Sequence, residues 1–465
     1  MPGRRVLIIG LDCADPGLVF DRFAARMPNV HQLMQRGLWG KVRSSIPPIT
    51  VPAWMCMVSG RDPGELGLYG FRARVSKSYD LGLVDAEDMK EPCLWDYISH
   101  AEKRVAVVGV PMTYPPRAVN GVMISGCLTP SDASPYVWPE SRKQEFVRRF
   151  GPYLMDVADA RTEDPPQLFS ALCAMTKQRF SIAKYLWSTD QPDFLMMVDM
   201  GPDRLHHAMW ACFDPDHPRH IPGHPMASWG STYYGLLDHL IGEMLELIDD
   251  QTVVCIVSDH GARALHGGVC INEWLQDQGL LVLKETPQAV TPLHASLVDW
   301  EKTQVWAEGG YYSRIFVNLE GREPSGCVSE SRYESLRAEI ISQLETLLTP
   351  DGHTLHNRIL KPEQIYRATR GSPPDLMAFF DDLRYRGIGT VGHGTCFVTS
   401  NAEGCDGCNH NWDGILVMAG AGVPARGRQD GLQIFDLTRT VLSVFDIPQP
   451  VELLGRDLFA HRHAM

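Results

Sequence analysis

Carboxylates and imidazoles stand at four places in this chain, each beside or shortly after an apolar run, and these residue types bind divalent metal ions. Asp12 follows Val6 to Gly10 in VLIIGLDCADP, and Asp203 and His207 stand in MGPDRLHHAMW after Phe194 to Val198. Asp259 and His260 close VVCIVSDHGA, and His410 precedes Ile415 to Ala419 in NHNWDGILVMAG. Asp203 and His207 are four apart, so on a helix they share one face and grip one ion, with His410 as third ligand. Asp259 and His260 are neighbours that a strand would point apart, but Gly261 lets the backbone turn both inward, and with Asp12 they make a second set. Imidazole and carboxylate ligation without thiolate suits Zn²⁺ first and Mn²⁺ next. Two such ions in one site are the equipment of a hydrolase that works by in-line displacement.

The nucleophile candidate is Thr50 in SIPPITVPAW. Pro47, Pro48 and Pro52 hold this segment extended and delay the helix to about Pro52 to Trp54, which puts Thr50 at a helix mouth where backbone N–H groups attract anions. A threonine hydroxyl is too weakly acidic to attack at neutral pH unless a metal or base lowers its pKa, and a two-metal site does so. Each residue also has a plain structural reading. Asp12 and Thr50 suit helix caps, Asp259 to Gly261 a turn, Asp203 a cap bridged to Arg204, and His207 and His410 core packing. The joint pattern is what weighs against a coincidence at every one of these ends.

The elements that must position these residues alternate along the chain. Strand candidates are Val6 to Gly10, Val105 to Val110, Val122 to Ser125, Phe194 to Val198, Val253 to Val257, Ile315 to Leu319, Leu376 to Phe380 and Ile415 to Ala419. Helical patterns cover Met27 to Arg36, Ser141 to Phe150, Pro166 to Trp187, Tyr233 to Ile248 and Ser329 to Leu348. Strand–helix alternation predicts an α/β fold, a mostly parallel central sheet with helices on both faces, whose ligands gather outside the carboxyl ends of the strands. Residues 272–386 separate Asp259 and His260 from His410 and hold polar Pro/Gly connections such as Glu320 to Gly326. They read as an inserted subdomain or lid, with 1–271 and 387–465 forming the catalytic domain.

A chain of 465 residues, 44% of them apolar, can bury a large core. Its net charge of −13 argues against a nucleic-acid or anionic-membrane surface. No apolar run is long enough for a signal segment or a bilayer span, so a cytoplasmic location is expected, with the twelve cysteines mostly reduced thiols. Cys405 and Cys408 form the one clustered pair, half of a zinc site without a second half. His266 in ALHGG and His393 in TVGHGT stand in Gly-rich loops and are weighed as ligand-orienting or proton-donating groups against plain loop packing. Tyr114 reads as a packed aromatic and Arg204 as a salt-bridge partner, each with a substrate contact as the alternative.

Taken in order, GLDCADP, ITVPAW, VSGRDPGELGLYGF, VPMTYPP, GPDRLHH, VSDHG, FFDDLRYRGIGTVGH and NHNWDGI resemble the alkaline phosphatase superfamily, in its type I phosphodiesterase/nucleotide pyrophosphatase branch. The resemblance implies an alkaline phosphatase-like fold and two divalent metals. It also implies that Thr50 is both nucleophile and ligand of one metal, shared with Asp12, Asp259 and His260, while Asp203, His207 and His410 bind the other. The activity it implies is hydrolysis of small-molecule phosphoric esters, most of all diesters, through a phospho-threonine. Monoester or phosphonate hydrolysis and phosphoryl transfer are the alternatives within the superfamily, and a catalytically silent metal-binding protein the alternative outside it. Two departures stand out: Leu66 in PGELG replaces a histidine common in the branch, and Cys56 to Gly60 does not match the cysteine motif of the sulfatases and phosphonate monoester hydrolases.

Overall fold

The computed structural model describes residues 4–75, 77–157, 164–399 and 406–460. Arg5–Leu11 is buried along almost its whole length and lies at the middle of the main sheet, as expected of a strand covered on both faces. Phe194–Asp199 and Thr252–Val257 flank it, both parallel, so that Gly10 stands opposite Val198 on one side and Val257 on the other. Beyond Phe194–Asp199 come Val105–Val108 and Gly121–Ile124, also parallel, and then antiparallel Val137–Trp138. On the other flank Asp413–Gly420 runs antiparallel to Thr252–Val257, and Leu38–Arg43 antiparallel to it in turn. The helix Pro28–Arg36 packs on Asp413–Gly420 and Pro165–Thr189 on Phe194–Asp199. The fold is therefore the α/β arrangement expected.

Strand direction explains why distant residues meet. Asp12, Met200 and Ser258 each follow the carboxyl end of a parallel strand. His410 comes before its strand, but Leu416 pairs with Val257 and Gly420 with Val253, so the start of Asp413–Gly420 lies at that same edge. Gly261–Ala264 then pairs antiparallel with Cys408–Asn411, which sets Ala262 opposite His410.

A second, four-stranded antiparallel sheet is built from Val305–Glu308, Ser313–Val317, Leu376–Phe379 and Arg358–Leu360. The helix Glu330–Glu345 supplies Leu336, Ile340 and Leu344 to an apolar cluster of its own with Trp274, Phe316 and Leu376. Gly267–Cys270 pairs with Tyr385–Ile388 and Phe397–Val398 in a separate three-stranded sheet.

Several bounds differ from the sequence expectation for local reasons. The helix after the proline run begins at Thr50 rather than near Pro52, because a first-turn residue has no intrahelical N–H bond to lose and Pro52 is tolerated there. The strand from Val105 stops at Val108 because Gly109 turns the chain at φ 71°, and a Cβ there would stand 2.1 Å from the Arg179 guanidinium. Leu38–Arg43, LWGKVR, escapes sequence reading because its alternating buried and exposed positions include Gly, Lys and Arg.

Candidate active site

All seven sequence-predicted residues come together at the carboxyl edge of the main sheet, and none is more than 4% exposed. Asp203 and His207 lie one turn apart on the helix Gly201–Phe213, with His207 Nε2 3.4 Å from Asp203 Oδ1. His410 Nε2 reaches the same oxygen at 3.5 Å. His260 Nε2 stands 3.1 Å from Asp259 Oδ2, 3.8 Å from Asp12 Oδ1 and 3.4 Å from Thr50 Oγ1. The His260 and His410 rings stack at 3.7 Å, so the two sets adjoin.

The remaining atoms of these side chains are committed elsewhere, which aims one atom of each inward. Trp54 Nε1 donates to Asp12 Oδ2 at 2.7 Å, and Arg204 Nη1 donates to Asp203 Oδ2 at 2.6 Å. The Cys13 N–H donates to Asp259 Oδ1 at 3.2 Å. His410 Nδ1–H donates to the Pro48 carbonyl at 2.8 Å and His260 Nδ1–H to the Gly261 carbonyl at 3.1 Å, while His207 Nδ1 meets Asp406 Oδ1 at 2.7 Å. Left over are Asp12 Oδ1, Asp203 Oδ1, Asp259 Oδ2, His207 Nε2 and His410 Nε2, all buried without a hydrogen-bond partner. Unpaired buried polar atoms are costly, and five that converge from three strand ends and a helix fit metal ligands. Asp203, His207 and His410 each offer one atom within 4.8 Å of the others, as do Asp12, Asp203 and His260.

Burial and neighbouring charges shift the groups of the cluster in different directions. Burial, then Asp259 and Asp203, push the Asp12 carboxyl well above its usual range. Burial also raises Asp259. Burial, with His260 beside it, drops His410 to about 3, so its imidazole is neutral and its Nε2 lone pair free. Burial would lower His207, but Asp406 and Asp203 outweigh it and raise it.

The other sequence candidates fall outside this cluster or serve it indirectly. Arg204 binds Asp156 through Nε at 2.9 Å and Nη2 at 2.6 Å as well as Asp203, so it is a salt-bridge residue. His393 Nε2 pairs with Thr390 Oγ1 at 2.7 Å, and the His266 N–H donates to the Arg384 carbonyl. Tyr114 is held through its carbonyl by the Ala86 N–H. None of these three makes a hydrogen bond or ring contact with the seven. Leu66 packs in the main core, behind a capping box of Asp62 and Glu65. Cys405 lies outside the described residues, and Cys408 is buried near His207 and Asp406. Sequence reading passed over Trp54, Asp406 and Tyr311. Asp406 alone had a visible signal, a carboxylate four residues before His410.

The main sheet, with its antiparallel flank and ligand-bearing edge, is that of the alkaline phosphatase superfamily. The family model for type I phosphodiesterase / nucleotide pyrophosphatase matches residues 6–405, and the chain belongs to that family, as a hydrolase of phosphoric esters. No curated protein matches it. Among solved structures, phosphonoacetate hydrolase from Sinorhizobium meliloti 1021 with phosphonoacetate is similar at TM-score 0.64 and 15% identity, over 95% of this chain and 96% of that one. Human ectonucleotide pyrophosphatase / phosphodiesterase 5 is similar at TM-score 0.58 and 13% identity over 96% of each chain. The inactive murine counterpart in complex with AMP gives 0.57 and 12%, over 98% and 97%. At these identities the structures attest the fold.

Proposed function

We propose that this protein cleaves phosphoric diesters through a phospho-threonine formed on Thr50 at a two-metal centre. Asp203, His207 and His410 hold one divalent ion, and Asp12, Thr50, Asp259 and His260 hold the other, with Zn²⁺ the best match to the donors and Mn²⁺ the alternative. The ions supply charge neutralisation at the phosphoryl oxygens and lower the pKa of the Thr50 hydroxyl and of water. The carrying observation is the set of five unpartnered, inward-facing donor atoms.

The chain's own groups define the steps. Thr50 begins its helix, so Oγ1 lies beside the free N–H groups of a first turn, which favour an anion in front of it. Thr50 Oγ1, its proton passed to solvent, forms a bond to phosphorus in line with the departing ester oxygen, which takes the bonding pair and then a proton from water. Water then cleaves the phospho-threonine and restores the hydroxyl. Burial of the whole cluster keeps bulk water from competing.

A cavity of about 480 Å³, whose walls include Arg72, Tyr79, Trp306, Glu308, Gly310 and Arg386, opens between the second sheet and the strand Tyr385–Ile388. Its Gly310 directly precedes Tyr311, whose ring lies on His410. We assign it, and with it the inserted 272–386 subdomain, to holding the organic group of the ester.

The test is elemental analysis of purified protein together with turnover of bis(p-nitrophenyl) phosphate. Two divalent ions per chain are expected, with activity lost on chelation and restored by Zn²⁺ or Mn²⁺. Protein without bound transition metal, and turnover indifferent to chelator, refutes the reading.

A further inference from the structure

Because the seven residues are closed off from solvent, whatever reaches them passes a neighbour. Tyr311 is half-buried, and it occupies the turn between Val305–Glu308 and Ser313–Val317. Its ring stacks on His410 at 3.7 Å and 22° and stands 5.6 Å from His207. The backbone fixes this position: Asn409 Nδ2 donates to the Tyr311 carbonyl at 3.1 Å, and Gly310 and Gly387 exchange N–H···O bonds of 2.9 and 3.1 Å. A Cβ on Gly309 would stand 2.2 Å from the Gly389 nitrogen, so the turn approaches this closely only with glycine there. The Tyr311 hydroxyl, by contrast, makes no hydrogen bond among the described residues. A phenol held rigidly by its ring, with its O–H uncommitted, is equipped to donate to an incoming oxygen.

We propose that Tyr311 is a catalytic residue that donates a hydrogen bond to the leaving oxygen of the ester, an assignment that rests on the two-metal reading above. Its place on the His207 and His410 side, across from Thr50, puts it where that oxygen departs. As the bond from Thr50 Oγ1 to phosphorus forms and the ester P–O bond breaks, the electron pair moves onto the leaving oxygen. Tyr311 stabilises the growing charge while keeping its own proton, and water supplies the proton that completes the alcohol. The second sheet thereby contributes a group to the chemistry.

Tyr311→Phe keeps the ring and its stacking and removes only the hydroxyl. It is compared with wild type, both metal-loaded, on p-nitrophenyl methyl phosphate and on phenyl methyl phosphate, whose leaving oxygen carries more charge. Both proteins should hold two ions. The variant's kcat/KM on the phenyl ester should fall on the order of 10- to 100-fold, mainly in kcat, and on the p-nitrophenyl ester by less than about 3-fold. Unchanged rates on both esters overturn the proposal, and so does an equal loss on both, which places the contact on a non-bridging oxygen. Failure of the two-metal reading shows separately, as wild type that binds no metal, and takes the Tyr311 assignment with it.

Discussion

At the scale of single residues, Asp12, Asp203, Asp259, His207 and His410 each commit one polar atom to the protein and leave another without a partner. Asp12 gives Oδ2 to Trp54 and keeps Oδ1 unbonded; Asp203 gives Oδ2 to Arg204 and keeps Oδ1. That division fixes orientation before any ion arrives. Thr50 differs, since among the described residues its Oγ1 meets only His260 Nε2, at the long distance of 3.4 Å, which suits the nucleophile proposed above. Thr50→Ala should therefore keep the fold and most bound metal while lowering kcat on the order of 10³-fold or more, and Thr50→Ser should recover part of it. Rates near wild type in the alanine variant, followed with a chromogenic diester, would mean direct attack by hydroxide and no covalent step. These seven positions were legible in the sequence because each stands beside an apolar run or a helical turn. Trp54 and Tyr311 were not, because an aromatic in an apolar stretch looks like core until the residue it touches is known.

Among elements, the junction between Phe194–Asp199 and Gly201–Phe213 carries the most weight, since it aims Asp203 and His207. Asp199 is wholly buried there and accepts from Thr176 Oγ1 at 2.9 Å and Tyr233 Oη at 3.3 Å, tying two covering helices to the strand end. Gly201 must be glycine, because a Cβ would stand 1.7 Å from the Tyr233 hydroxyl. Burial, only partly relieved by Arg179, Thr176 and Tyr233, raises the Asp199 carboxyl from 3.8 to about 6. A raised folded pKa means that the folded chain holds this proton more tightly than the unfolded one. The stability it contributes is full below about pH 4 and is lost as pH climbs through 6. Two pKa units correspond to roughly 3 kcal/mol. Asp199→Asn titrates nowhere in this range, so its stability relative to wild type should improve by up to about that amount between pH 4 and pH 7, read from urea unfolding. Parallel stability profiles for the two proteins would show that Asp199 does not titrate as described. The strands of the main sheet were legible because both faces are buried and their apolar runs are unbroken. The antiparallel strand Leu38–Arg43, paired on its far side with Gly427–Arg428 and Leu432–Gln433, was not, since its alternation spans only six residues.

For the whole molecule the question is what charge the site is built to receive. The chain carries a net −13, and three carboxylates are buried at the centre. The cations closest by contact are already spent: Arg204 on Asp156 and Asp203, and Arg386 on Asp406, which itself holds His207. On the proposed reading, that leaves two metals and the first turn at Thr50 to meet the phosphoryl group. A phosphodiester brings one negative charge, whereas a monoester brings up to two and calls for further Arg or Lys donors. The cavity along Trp306 and Tyr79, proposed above to take the organic group, was announced by no sequence pattern because its walls come from four separate stretches of chain. On matched substrates at neutral to mildly alkaline pH, kcat/KM for an aryl phosphodiester should exceed that for the corresponding aryl monoester. Trp306→Ala should lower kcat/KM for the aryl diester, because that wall is the one assigned to the organic group of the ester. The reverse order of substrates in wild type would make this a monoesterase built on the same ligands, and a Trp306→Ala variant as active as wild type on both would remove the cavity from substrate recognition.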